Sequence, residues 1–149
     1  MSETFGAVEA GGTKFRVGRF SDGELLEEHR IPTEDPSITL PAVRAHLAAW
    51  SPVAVGIAAF GPITLDGADR GVMGSTPKPG WPGANLIEDL DVGVPVAIDT
   101  DVGAAAIAEL DRGAGRDVAS LCYVTVGTGL GGAFADRTGT HHGHGHSEV

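Results

Sequence analysis

The chain has 149 residues, 20 acidic against 10 basic, for a formal net charge of -10. That length can carry one domain with a substantial core, and the charge argues against a nucleic-acid or anionic-membrane partner, since both need clustered cations. Glycine stands at 23 residues with no G-X-Y period and 42% of the chain is hydrophobic, which excludes collagen and wholesale disorder and leaves a folded domain rich in glycine backbone.

The elements follow in chain order. Phe5–Glu9 is a short strand that ends at Gly11-Gly12. Lys14–Phe20 alternates as a second strand, Ser21-Asp22-Gly23 signals a tight turn, and Glu24–Thr33 returns as a third. Asp35 caps a helix that runs to about Trp50, with Pro36 at its first position. Leu40, Val43, Leu47 and Trp50 give that helix one apolar face. Pro52–Phe60 is a continuous apolar run, the pattern of a strand buried on both faces. Gly61-Pro62 breaks it, and Ile63–Gly83 reads as loop.

Ala84–Leu90 is a short helix, and Val94–Thr100 is another buried strand. Asp101–Arg112 is an Ala-rich helix ended by Gly113-Ala114-Gly115. Ala119–Val126 is a fourth buried run, and a Gly-rich turn leads into Ala133–Ala135. Strands alternating with helices after an opening hairpin imply an α/β fold with a mixed, partly parallel sheet. The tail from Thr138 is polar and His-rich, and no closing element is expected there. Its imidazoles would bind zinc or nickel weakly at most, because no scaffold for a closed site accompanies them. Cys122 is the sole cysteine, so no intrachain disulfide can form. Neither a long apolar span nor a signal-peptide pattern is present, and a soluble cytoplasmic protein is expected.

The glycines concentrate at two strand ends, Glu9-Ala10-Gly11-Gly12-Thr13-Lys14 and Thr125-Val126-Gly127-Thr128-Gly129-Leu130-Gly131-Gly132. Backbone N–H groups at such turns can converge on an anion, and the hydroxyls of Thr13 and Thr128 add donors. Two turns of this kind suit a phosphate chain gripped from two sides. Tight hairpins that need positive φ would use the same glycines. Neither lysine, Lys14 or Lys78, stands in a Walker A frame. Gly127-x-Gly129-x-x-Gly132 matches a dinucleotide fingerprint only in letters, because a strand follows it rather than a helix.

Asp99-Thr100-Asp101 lies where a buried strand passes into a helix. Open α/β sheets place ligand groups there, and a carboxylate could accept a hydroxyl proton during attack on phosphorus. An N-cap at Thr100 or Asp101 explains the same letters. Glu9, at the end of the first strand, could hold magnesium directly or through water. In Thr76-Pro77-Lys78-Pro79-Gly80-Trp81, Lys78 and Trp81 offer a donor and an apolar face suited to a sugar. A rigid loop with Trp81 in the core is the simpler reading of that segment.

Taken together, Glu9–Phe15 (E-A-G-G-T-K-F), Phe60-Gly61-Pro62, Ser75–Trp81 (S-T-P-K-P-G-W), Asp99–Val102 (D-T-D-V) and Thr125–Gly132 (T-V-G-T-G-L-G-G) occur in the order seen in the ROK family. The chain resembles its bacterial fructokinase branch over residues 5–149. The resemblance implies an actin/hexokinase-like (ribonuclease H-like) two-domain ATPase that binds ATP and Mg²⁺ between its domains. It implies ATP-dependent phosphorylation of a hexose, fructose to fructose 6-phosphate, with glucose or an amino sugar as the alternative substrate.

On that resemblance Asp101 is the general base. Gly11, Gly12, Thr13 and Lys14 form one phosphate loop, and Gly127, Thr128 and Gly129 the other. Glu9 lies near the metal, and Gly61, Pro62, Lys78 and Thr100 face the sugar. His146-Ser147-Glu148-Val149 is similar to the start of the family motif H-x-E-x-G-H, in which Glu148 would hold sugar hydroxyls. Gly103 departs from the Asn usual after the catalytic Asp. Residues 1–135 would form the first domain and 136–149 the start of a largely absent second one. The structural Zn²⁺ site would lie beyond Val149. The 149-residue chain alone is then expected to be inactive, a non-catalytic sugar-binding fragment being the other possibility, and the full-length protein to be a homodimer. A sugar-responsive repressor of the family would need an N-terminal helix-turn-helix, for which a strand starting near Phe5 leaves no room.

Overall fold

The computed structural model describes residues 2–127 and 130–142. These form two compact units that divide between Asp99 and Thr100. The first unit holds β1 (Thr4–Ala10), β2 (Lys14–Ser21), β3 (Glu24–Pro32), α1 (Pro36–Trp50), β4 (Ala54–Ala59) and α2 (Leu86–Asp89), and β5 (Val96–Thr100) closes it with all but its last residue. The second holds α3 (Asp101–Arg112), β6 (Ser120–Val126), β7 (Leu130–Asp136) and β8 (Gly139–His141).

The first sheet has the order β3-β2-β1-β4-β5. β1 pairs antiparallel with β2 and parallel with β4, so the sheet is mixed as the sequence implies. Asp22 and Gly23, with φ of 52° and 81°, make the β2–β3 turn. Positive φ at both central residues matches the right-handed twist of a two-residue hairpin. Alternation on β1, β2 and β4 sends Val8, Ala10, Phe15, Val17, Val55, Ile57 and Ala59 to one face, where they join Leu40, Val43 and Leu47 of α1 in the core. The Asp35 carboxylate accepts the Ser37 N–H at 2.9 Å, and Pro36 needs no donor at the first turn.

Several expectations are corrected. β5 is not a buried strand throughout: Ala97 is exposed and only Thr100 is buried. β4 is not buried on both faces: Gly56 is exposed, and only the Val55, Ile57 and Ala59 side is closed. An unbroken apolar run specifies a strand but not what covers each face. β6 is likewise mostly exposed, with Val124 at 57% and Val126 at 82% accessibility. In its unit α3 packs Ala106 and Leu110 against Leu121, Tyr123, Ala133 and Ala135, leaving Val124, Val126, Leu130 and Phe134 outward. The tail has a closing element after all. β8 pairs with β7, and the Asp136 carboxylate accepts the N–H and hydroxyl of Thr138 to form the turn between them.

Residues 61–85 are more ordered than a loop. Ile63 pairs with Met73 and Val72 with Asn85 in isolated bridges, and Leu86 N–H donates to the Gly71 carbonyl. Met73 and Trp81 are buried in the first unit's core. Among the described residues no helix is long and apolar enough to cross a membrane.

Candidate active site

In the first unit the site is built around the turn from β1 to β2. The Gly11 N–H donates to the Lys14 carbonyl at 3.1 Å. The Thr33 hydroxyl donates to the Gly11 carbonyl at 2.7 Å, and the Thr33 N–H to the Thr13 carbonyl at 3.0 Å. The Lys78 ammonium donates to the Gly12 carbonyl at 2.6 Å. All four carbonyls of Gly11–Lys14 therefore face protein donors. The N–H groups of Gly12 and Thr13 reach no protein acceptor among the described residues. Two uncommitted N–H donors beside four engaged carbonyls are an arrangement that can accept an anion.

Neither glycine is there for positive φ. A Cβ on Gly11 would lie 2.7 Å from the Lys14 carbonyl oxygen, whereas one on Gly12 would project into open space. Gly11 thus serves the turn's own closure. Gly12 keeps clear the space an anion would occupy.

Glu9 stands opposite Arg16 in the β1–β2 ladder, and the Arg16 guanidinium donates to its Oε2 at 3.1 Å. Arg16 also reaches Glu28 at 2.7 Å, and Glu28 accepts from Arg30 at 3.0 Å. Hydrogen bonds from Arg16 and then Arg30 hold the Glu28 carboxyl below the ordinary range. Hydrogen bonding and charge from Glu28, followed by the charge of Glu9, raise Arg16. Among the described residues no group of three or more His, Cys, Asp or Glu is arranged to hold a metal. Magnesium keeps most of its waters and takes few protein carboxylates. A lone Glu9 with an arginine on Oε2 therefore fits contact through water better than direct ligation.

Gly61-Pro62, joined by a cis peptide bond, follows β4, and the Pro62 carbonyl accepts the Gly74 N–H at 2.8 Å. Trp81 is fully buried. Its indole N–H donates to the Glu34 carbonyl at 2.9 Å, and its ring lies 5.4 Å from Phe15 and 5.6 Å from Phe60. The core reading of Trp81 holds, and the ring is no platform for a ligand. Lys78 is instead the residue of this loop that meets the Gly11–Lys14 turn.

In the second unit Thr100 is the N-cap of α3. It is 3% exposed, and its hydroxyl accepts the Gly103 N–H at 3.0 Å. Thr100 thus takes the N-cap role that its position in the sequence allowed. Asp101, the first residue of α3, is exposed, and its Oδ1 accepts the Val102 N–H at 2.8 Å. A helix N-terminus stabilises the negative charge of a carboxylate placed there. Gly127 follows β6 directly, and β7 begins at Leu130, so a strand rather than a dinucleotide-binding helix follows the second Gly-rich turn. Thr128, Gly129 and Glu148 lie outside the described residues.

The ROK family model matches residues 5–149. The chain belongs to the ROK family. A fructokinase from Zymomonas mobilis is 38% identical, over 97% of this chain and 52% of its own length. A ROK hexokinase from Thermus thermophilus superposes with a TM-score of 0.80 at 28% identity, over 98% of this chain and 50% of that one. A ROK glucokinase from Streptomyces griseus, in complex with glucose and AMPPNP, gives 0.78 at 28%, over 98% and 48%. The chain thus spans about half the length of the curated relatives it matches. Its mixed sheet with helices is the actin-like ATPase fold of these ROK structures.

Sequence reasoning missed Thr33 and Arg16. Thr33 follows β3 and is buried beneath the first Gly-rich turn, a placement that depends on the register of three strands. Glu9 and Arg16 at the ends of two paired strands gave a signal once a hairpin was assumed.

Proposed function

We propose that this chain carries the phosphate turn and the general base of an ATP-dependent hexose kinase, with fructose as the acceptor. The observation that carries the reading is the turn Gly11–Lys14, whose carbonyls are engaged and whose Gly12 and Thr13 N–H groups are left for an anion. Family membership and the 38% identity to a fructokinase support the reaction class and the sugar.

In this reading Gly12 and Thr13 hold phosphate oxygens of ATP, and the Lys14 ammonium adds charge at the turn. Gly127, Thr128 and Gly129 form the second phosphate loop. Asp101 accepts the proton of a primary sugar hydroxyl as its oxygen bonds to the γ-phosphorus and the bond to the ADP oxygen breaks. Thr100 positions Asp101 by capping its helix. Gly61, Pro62, Thr100 and Glu148 form part of the sugar site, which Lys78 borders. Magnesium, when bound, would neutralise charge on the phosphates, and Glu9 would be the residue of this chain that helps to hold it. The domain boundary at residues 135/136, the homodimer, the zinc site beyond Val149 and the cytoplasmic setting belong to the same proposal.

Glucose is the second acceptor to test, because a structural relative is a glucokinase seen with glucose. Initial rates of the full-length protein with MgATP and fructose, glucose, mannose or N-acetylmannosamine decide between them. The highest kcat/KM on fructose supports the proposal. Preference for another hexose reassigns the sugar, and phosphorylation of none overturns the kinase reading.

A further inference from the structure

The peptide unit is planar and trans, so its carbonyl and N–H point in opposite directions. Gripping the carbonyl oxygen of residue i therefore fixes the direction of the N–H of residue i+1. Both uncommitted donors of the first Gly-rich turn sit on peptide units gripped in this way. The Gly11 carbonyl, on the plane that carries the Gly12 N–H, is held by the Thr33 hydroxyl at 2.7 Å. The Gly12 carbonyl, on the plane that carries the Thr13 N–H, is held by the Lys78 ammonium at 2.6 Å.

We infer that Thr33 and Lys78 are positioning residues, each aiming one backbone N–H at the phosphate. This deepens the phosphate-turn reading above and rests on it. It also moves Lys78 from the sugar contact the family resemblance implied to a role on the nucleotide side.

The two grips differ in kind. Thr33 is 7% exposed, and its own N–H donates to the Thr13 carbonyl, so it anchors the turn from beneath. Lys78 comes from a segment 66 residues away and bears a full charge. A charged donor on a carbonyl polarises the whole amide and makes its N–H a stronger donor. The turn is open on the side where Gly12 lacks a Cβ. Without the Lys78 bond, the Gly12–Thr13 peptide could rotate and turn its carbonyl toward an incoming phosphate. That orientation repels the anion instead of holding it.

The test uses ¹⁵N-labelled protein with inorganic tripolyphosphate as the probe. Lys78→Met should shift the Thr13 amide resonance and speed its hydrogen exchange before any anion is added. Thr33→Val should do the same at Gly12. Each variant should weaken tripolyphosphate binding about tenfold, one donor's worth, while resonances of α1 and β4 stay in place. Lys78→Arg, which keeps charge and donors, should restore most of the affinity.

Three results would count against the inference. If wild-type Gly12 and Thr13 resonances ignore tripolyphosphate, the phosphate-turn reading itself falls and the inference with it. If they respond but Lys78→Met binds as tightly as wild type, only the positioning role falls. If Lys78→Met perturbs the whole spectrum while Lys78→Arg does not bind better, Lys78 is structural.

Discussion

The indole N–H of Trp81 donates to the Glu34 carbonyl oxygen at 2.9 Å, tying the Pro-rich loop to the segment that leads into α1. The ring fills the core beside Phe15 and Phe60 and is fully buried. Trp81→Ala should therefore cost about 3–5 kcal/mol of stability, the range for emptying a large core side chain. Trp81→Phe keeps much of the volume but leaves the Glu34 carbonyl without that donor, and should cost less. Urea unfolding of the three proteins checks this, and a loss under about 1 kcal/mol for Trp81→Ala would place the ring outside the core.

The two glycines of the first turn should respond oppositely to alanine. A Cβ at Gly11 meets the Lys14 carbonyl oxygen at 2.7 Å, which is backbone and cannot swing aside. Gly11→Ala should destabilise by about 1–3 kcal/mol. A Cβ at Gly12 meets nothing within 4 Å, so Gly12→Ala should unfold near the wild-type midpoint. It should nonetheless weaken tripolyphosphate binding by filling the anion's approach. Calorimetric titration beside denaturant curves separates the two effects.

Arg137 closes the second unit by donating to the carbonyls of Leu110, Arg116 and Val118 at 2.7–3.0 Å. These are the end of α3 and the chain beyond it, where helix carbonyls have no intrahelical partner. Arg137→Ala leaves all three without this donor and should cost about 2 kcal/mol. Arg137→Lys, a single point donor, should recover only part of it. Thermal unfolding followed by circular dichroism measures both.

Stability should also fall in mild acid. The His46 and His29 rings stack 3.9 Å apart between α1 and β3, beside Trp50 and Glu27. Burial first, and the His29 charge second, hold His46 below the ordinary imidazole value, with Glu27 opposing. As pH falls through about 6.5, the unfolded chain takes up this proton before the folded one does. Stability contributed by neutral His46 is thus present above about pH 6.5 and lost below it. Wild type should lose more stability between about pH 7.5 and about pH 5.5 than His46→Gln does, and equal losses would contradict the assignment.

Local chemistry made much of the fold legible. Asp35-Pro36 announced the start of α1, Asp22-Gly23 the hairpin, and the spacing of Leu40, Val43 and Leu47 the buried face. Burial from long-range packing was less accessible. The letters of β4 and β6 are apolar, yet exposure depends on which elements cover each face. The order within residues 61–85 comes from isolated bridges that carry no period. At the site, the Gly-rich turn and Asp101 stood out because glycines and a carboxylate ended strands. The grips on that turn did not, because Thr33 and Lys78 reach it only through the tertiary fold.

Asp101 carries the central claim, and its replacement is the most direct measurement. Asp101→Asn keeps the size of the side chain and an oxygen that can accept the Val102 N–H, so the fold should be little changed. The loss of charge at the α3 N-terminus should cost at most about 1 kcal/mol. With MgATP and fructose, the full-length variant should show kcat reduced by about 10²–10⁴, with KM for both substrates nearly unchanged. Turnover close to wild type in a folded Asp101→Asn protein would contradict the account.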